Sequence, residues 1–141
     1  MIRATTATIE YQTPFTNGTH SSFADVPLEK GGKGEGFGPH ELLEAALATC
    51  MTITARKYAD KHQLALKSVI CEVKLDRTDP DHHIMNYTLT LEGELSSEQR
   101  QQLHDVVSRC PVKKTLCSDI TFDATLFHSG IGNSSSFPSG S

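Results

Sequence analysis

The chain has no tryptophan, and aromatic residues fill only 6% of its 141 positions, so aliphatic side chains must supply the core. It also lacks an excess of positive charge: 13 Lys and Arg stand against 17 Asp and Glu, a net charge of −4. That balance offers no cationic footprint for a phosphate backbone, and no nucleic-acid partner is expected. Long hydrophobic runs are missing. The most apolar stretch, residues 42–53, is interrupted by Glu44, Thr49 and Thr52 and is too short and too polar to span a bilayer. No charged-then-apolar leader opens the chain; residues 2–11 alternate instead, so a cytoplasmic protein without membrane attachment is expected. Four cysteines are too few for a disulfide scaffold, and none forms a CxxC pair. The seven histidines make neither HxxxH nor HExxH. No metal and no other cofactor is expected.

What is present fits one domain. Hydrophobic residues reach 37% and charged residues 21%, the balance of a globule with a single core. The domain is read as residues 1–128, and the Gly-, Ser-, Asn- and Pro-rich residues 129–141 as a flexible tail. Residues 2–11 are rich in β-branched side chains and predict a strand. Pro14 and Asn17-Gly18 mark a turn into a second strand over residues 20–26. Residues 29–39 hold five glycines without the Lys-Ser/Thr of a phosphate-binding loop, which predicts a mobile loop.

Pro39 then opens a long helix, with Glu41 and Glu44 near its positive end. Leu43, Ala46, Leu47, Cys50 and Ile53-Thr54 form its expected buried stripe, and Leu42, Ala45, Ala48-Thr49 and Thr52 make a neighbouring face apolar too. A helix apolar on more than one side must be covered from several directions, by its own domain or by a second subunit. Residues 66–76 and 84–95 alternate as half-buried strands. Ser96-Ser97-Glu98-Gln99 is a capping box ahead of a helix whose stripe is Leu103, Val106 and Val107. Cys110-Pro111 interrupts that helix, residues 112–116 add a turn, and residues 120–127 form a last strand. The order β-β-α-β-β-α-β predicts an α+β fold with helices against antiparallel-rich sheets.

The four thiols differ in setting. Cys71 lies on the inward side of a strand between Val69 and Val73, where a free cysteine acts as a small hydrophobe. Cys117 falls at the end of a turn and reads as packing. Cys50 sits among Leu and Ala in mid-helix and reads, on composition alone, as a core thiol. Cys110 precedes Pro111 at the start of a helical turn, where free N–H groups with Arg109, Lys113 and Lys114 would favour thiolate.

The segment Gly38-Pro39-His40-Glu41-Leu42-Leu43-Glu44-Ala45-Ala46-Leu47-Ala48-Thr49-Cys50 resembles the signature of the OsmC/Ohr family of osmotically inducible and organic hydroperoxide resistance proteins. Tyr58-Ala59, Arg109-Cys110-Pro111-Val112 and Thr115-Leu116 extend the likeness, which runs from about Ala4 to Phe127. The resemblance implies an intertwined homodimer, with long central helices enclosed by sheets of both subunits. It implies a thiol peroxidase acting in oxidative-stress defence. Cys50 would attack the O–O bond of an organic hydroperoxide or hydrogen peroxide, Cys110 would trap the sulfenic acid as a disulfide, and a dithiol or thioredoxin-like donor would reduce it. This chain departs from the family at the thiolate-activating positions: His40 stands where peroxidase members carry Glu, next to Glu41, and no Arg lies between Arg3 and Arg56. His20 and His40 are the candidate substitute cations. Without one, the alternative is a non-catalytic relative that binds a small apolar ligand at the dimer interface.

Overall fold

A computed structural model describes residues 1–128 and 135–137. The chain runs β1 (Arg3–Ala4), β2 (Thr13–Thr16), β3 (Ser21–Ala24), a 3-10 turn (Leu28–Lys30), α1 (Pro39–Lys61), β4 (Leu66–Asp76) and β5 (Ile84–Gly93), then α2 (Ser97–Val107), α3 (Pro111–Leu116), β6 (Ala124–Leu126) and β7 (Ser135–Phe137). The ladders β1–β2–β3, β4–β5 and β6–β7 are all antiparallel. This is the mixed α+β, antiparallel-rich architecture expected, with one more short strand toward each end and a separate α3 after the interruption at Pro111. No described helix is long and apolar enough to cross a membrane.

The centre of the molecule is α1 against β4. Pro39 occupies the first turn of α1 with Glu41 beside it, and Lys61 closes the last turn, each at the end of the dipole that favours it. Its sealed residues are Leu47, Met51, Ala55 and Ala59, one every four positions. They pack with Leu66, Leu103, Val107 and Cys110, and the inner β4 residues Val69, Cys71 and Val73 close over that cluster. The expected stripe is therefore rotated. Leu47 lies within it, but Leu43 is 45% exposed and Ile53 55% exposed. The reason is that β4 and α2 together cover only one flank of the helix, and the flank carrying Leu43, Ala46 and Ile53 faces outward.

Two polar contacts fix α1 against the strand. Leu75 N–H donates to Glu44 Oε1 at 2.7 Å, and Arg56 donates to the Leu66 carbonyl at 2.7 Å while its Nε reaches Asp60. In the β4–β5 ladder Cys71 faces Leu89 and Val73 faces Tyr87, so alternation sends one apolar row toward α1. The strand β5 stops at Gly93 rather than residue 95. Gly93 has φ +139°, which an L side chain rarely adopts, and a Cβ there would strike the Ala65 carbonyl. The capping box is present: Ser96 Oγ accepts from Gln99 N–H, and Gln99 Oε1 accepts from Ser96 N–H.

The chain ends differ most from expectation. Of residues 2–11 only Arg3–Ala4 is strand. Gln12 N–H turns back to the Ile9 carbonyl and Tyr11 sits at φ +64°, because this stretch must bend to meet β2, and β propensity without a partner does not hold a strand. The Asn17-Gly18 hairpin forms as predicted, with Asn17 Oδ1 accepting from Thr19 and His20 N–H and Gly18 at φ +100°. The glycine segment, expected to be mobile, carries specific bonds. Gly34 N–H donates to the Val26 carbonyl, Asp25 N–H to the Phe37 carbonyl, and Glu35 N–H to the Asp25 carboxylate. Asp25, 1% exposed, organises the segment. Its burial pushes the carboxyl pKa up, but hydrogen bonds from the Glu35 and Val26 N–H groups, Gln12 and the Lys33 backbone outweigh this and hold it below the usual range. At the other end, only Ala124–Leu126 of the expected strand over residues 120–127 is formed. It pairs with Ser135–Phe137, inside the stretch expected to be an unstructured tail. The rest of that tail, residues 129–134 and 138–141, lies outside the described residues.

Candidate thiol site

Cys50 occupies the middle of α1. It is half-buried, next to sealed Met51, and its helical position places it between the buried stripe and the outward Leu43, Ala46 and Ile53. Cys110 comes from the other side of the core. The last turn of α2 ends with Cys110 N–H donating to the Val107 carbonyl at 3.0 Å. Pro111 opens α3, which forces the residue before it into extended backbone, and Cys110 sits there at φ −59°, ψ 151°. It is fully buried.

The sulfur environment runs against one expectation. Burial, the largest influence, raises the Cys110 pKa. The N–H groups of Lys113 and Val112 pull it down, but without a full capping hydrogen bond, while hydrogen bonding with Cys50 and the charge of Cys50 raise it further. The net direction is upward. A helix start with basic neighbours thus loses to desolvation, because one short turn supplies few N–H groups to a sulfur closed off from water. Cys50 packs against the same buried cluster to which Cys110 belongs.

Cys71 is closer to this pair than its strand position suggests. Its sulfur lies 3.7 Å from the Met51 sulfur, and its pKa is raised by burial first and then by the charges of Cys110 and Glu72. Alternation showed that Cys71 points inward; that it points at the turn of α1 bearing Cys50 and Met51 depends on strand-to-helix register, which sequence does not carry. Cys117 is exposed at the end of α3.

The candidate activating groups are not gathered around Cys50 within one chain. His40 and Glu41 are exposed in the first turn of α1. His40 is ten residues from Cys50, about 15 Å along the helix axis at 1.5 Å per residue. His20 is exposed in the β2–β3 turn, its Nδ1 3.0 Å from Thr19 Oγ1. Arg56, the nearest arginine on the helix, is engaged with Asp60 and the Leu66 carbonyl. Beyond the thiols, an almost wholly apolar cavity of about 600 Å³ opens between the first sheet and the start of α1, walled by Phe15, Ala24, Val26, Pro39 and Leu42, with Asp25 at its edge.

The sequence profile of the OsmC family, described as OsmC-like protein, matches residues 32–125. The chain belongs to that family. Solved structures of the same fold include an OsmC-like protein from Mycoplasma pneumoniae, with a TM-score of 0.70 and 24% identity over 82% of this chain and 85% of that one. A candidate osmotic stress induced and detoxification response protein from Psychrobacter arcticus has a TM-score of 0.68 and 23% identity, covering 81% and 85% of the two chains. The organic hydroperoxide resistance protein OsmC from Legionella pneumophila gives 0.60 and 22%, covering 83% and 88%. No curated protein matches the chain.

Proposed function

We propose that this protein is a thiol-dependent peroxidase that reduces organic hydroperoxides, and hydrogen peroxide less readily, through Cys50 and Cys110 in cytoplasmic oxidative-stress defence. The observation that supports the reading is the packing of Cys50 against the buried cluster that contains Cys110, 60 residues away in sequence. The Cys50 thiolate attacks the distal peroxide oxygen, the O–O bond breaks, and the alkoxide leaves and takes up a proton to become an alcohol. The Cys110 thiolate then attacks the sulfenic sulfur, hydroxide leaves as water, and a Cys50–Cys110 disulfide forms. A small dithiol or a thioredoxin-like protein returns both to thiols. The organic preference follows from the surroundings, since the flank of α1 beside Cys50 carries Leu43, Ala46 and Ile53 rather than charge.

That exposed apolar flank also supports a homodimer in which a second copy covers it. A partner subunit is then the source of a group that activates Cys50, because His40 and Glu41 lie in the first turn of the same helix, more than two turns away. A second reading, a non-catalytic protein that holds a small apolar ligand, is favoured by the cavity of about 600 Å³ and by the engagement of Arg56 away from the thiol. Replacement of each cysteine separates the two. With Cys50→Ser, peroxide consumption should vanish. With Cys110→Ser, one turnover should proceed and dimedone should label Cys50. Label on Cys110 in the Cys50→Ser protein would exchange the roles, and no label at any peroxide dose would leave the ligand-binding reading.

A further inference from the structure

Cys71 has no part in the reaction above, yet it is built into the same centre. It projects from β4 toward α1, and its sulfur lies 3.7 Å from that of Met51, the residue that follows Cys50. Met51 and Cys110 are both fully buried members of one cluster, and Cys50 and Cys71 pack against that cluster from the helix and from the strand. The charge of Cys110 is among the influences that raise the Cys71 pKa, as the charge of Cys50 is for Cys110. The cluster that holds Cys110 is thus flanked by two further thiols, each carried by a different element.

We propose that Cys71 is a third redox residue, which exchanges into the Cys50–Cys110 disulfide and frees Cys50 while the oxidation is held as a Cys71–Cys110 bond. The origin of the first disulfide rests on the peroxidase reading; the exchange itself does not. The Cys71 sulfur attacks the Cys110 sulfur, the Cys50–Cys110 S–S bond breaks, the Cys71–Cys110 bond forms, and the proton lost by Cys71 ends on Cys50. One disulfide and one thiol enter and the same leave, so no oxidant or reductant is consumed. The consequence is that Cys50 becomes competent for a second peroxide before any external dithiol arrives.

The test uses the full chain and diamide, which joins neighbouring thiols without a sulfenic acid. In Cys50→Ser, checked as folded by circular dichroism, diamide should remove two of the three remaining thiols and give a linked peptide containing Cys71 and Cys110. In Cys50→Ser/Cys71→Ser that loss should disappear. In the unaltered protein, peptide mapping should recover both Cys50–Cys110 and Cys71–Cys110 linkages, the second growing at the expense of the first. Cys71 and Cys110 remaining fully alkylatable in Cys50→Ser, or a wild-type map holding Cys50–Cys110 alone over hours, would overturn the proposal. Because peroxide is absent throughout, a failure here leaves the peroxidase reading intact, and a protein that exchanges disulfides but consumes no peroxide would fail that reading instead.

Discussion

Raising the pH from 7 to 9 should speed closure of the Cys50–Cys110 disulfide by about fifty- to a hundredfold. The attacking atom in that step is the Cys110 sulfur, and only its thiolate attacks. Burial dominates its surroundings and lifts its pKa above the ordinary thiol value of 9.0, with the Lys113 and Val112 N–H groups recovering only part of the rise. A thiol with a pKa above 9 is ionised to no more than about 1% at pH 7, and that fraction grows about tenfold per unit until the pKa is reached. Had the helix start prevailed, the profile would be flat from neutral pH upward. The same shift has a sign in stability. The folded protein holds the Cys110 proton more tightly than the unfolded chain, so this contribution is complete below the unfolded thiol pKa and is lost as pH rises through the folded value. Single-turnover mixing with one equivalent of cumene hydroperoxide, quenched at intervals and mapped for the disulfide, measures the rate. A change of less than about threefold between pH 7 and 9 would refute the reasoning, since it would mean that the N–H groups and basic neighbours of Cys110 outweigh its burial.

Two other outcomes follow from the packing. Gly32→Ala should destabilise the protein by about 1–3 kcal/mol in urea unfolding, because a Cβ at that position is driven into the Val26 carbonyl and lies 2.7 Å from Asp25 Oδ1, neither of which can retreat without opening the loop; an unchanged midpoint would show that the segment is loose. Ile53→Asp should leave a single chain folded, its site being 55% exposed, while shifting light scattering from dimer to monomer; a dimer that persists would place the interface elsewhere.

The parts of the fold legible in sequence are those whose signals are local. The bounds of β4 coincide with its alternation, Pro39 opens α1, and the Ser96–Gln99 capping box starts α2. These elements carry their own start signals and their own periodicity. The stripe of α1 was misjudged for the opposite reason: with Leu, Ala and Cys on two flanks, composition cannot say which one β4 and α2 will cover. Residues 2–11 have the composition of a strand, but β2 offers Arg3 and Ala4 alone a paired position. At the candidate site, the family motifs point to Cys50 and Cys110, whereas alternation gives Cys71 an inward direction without saying that it meets Met51. Within one chain His40 stands ten residues from Cys50, nearly three turns of helix, a separation the sequence already carries once α1 is continuous.

The burial pattern also divides the chain by how hard each part is to open. Among the described residues, every sealed apolar one except Ala24 lies between Leu47 and Cys110, in one continuous stretch built from a helix, the hairpin that follows it and the next helix. The β4–β5 hairpin and the α1–β4 connection within this stretch close short loops, so its centre can form early. The first three strands, by contrast, contribute only Ala24 to the sealed residues and are tied on by the Ala24–Phe37 bridge and the bonds around Asp25, and β6 carries no buried residue. Amide exchange in an isolated chain should therefore be graded: slowest at the Met51 and Leu103 turns, where only global unfolding admits water, and fast in the terminal strands, which can detach while the centre stays shut.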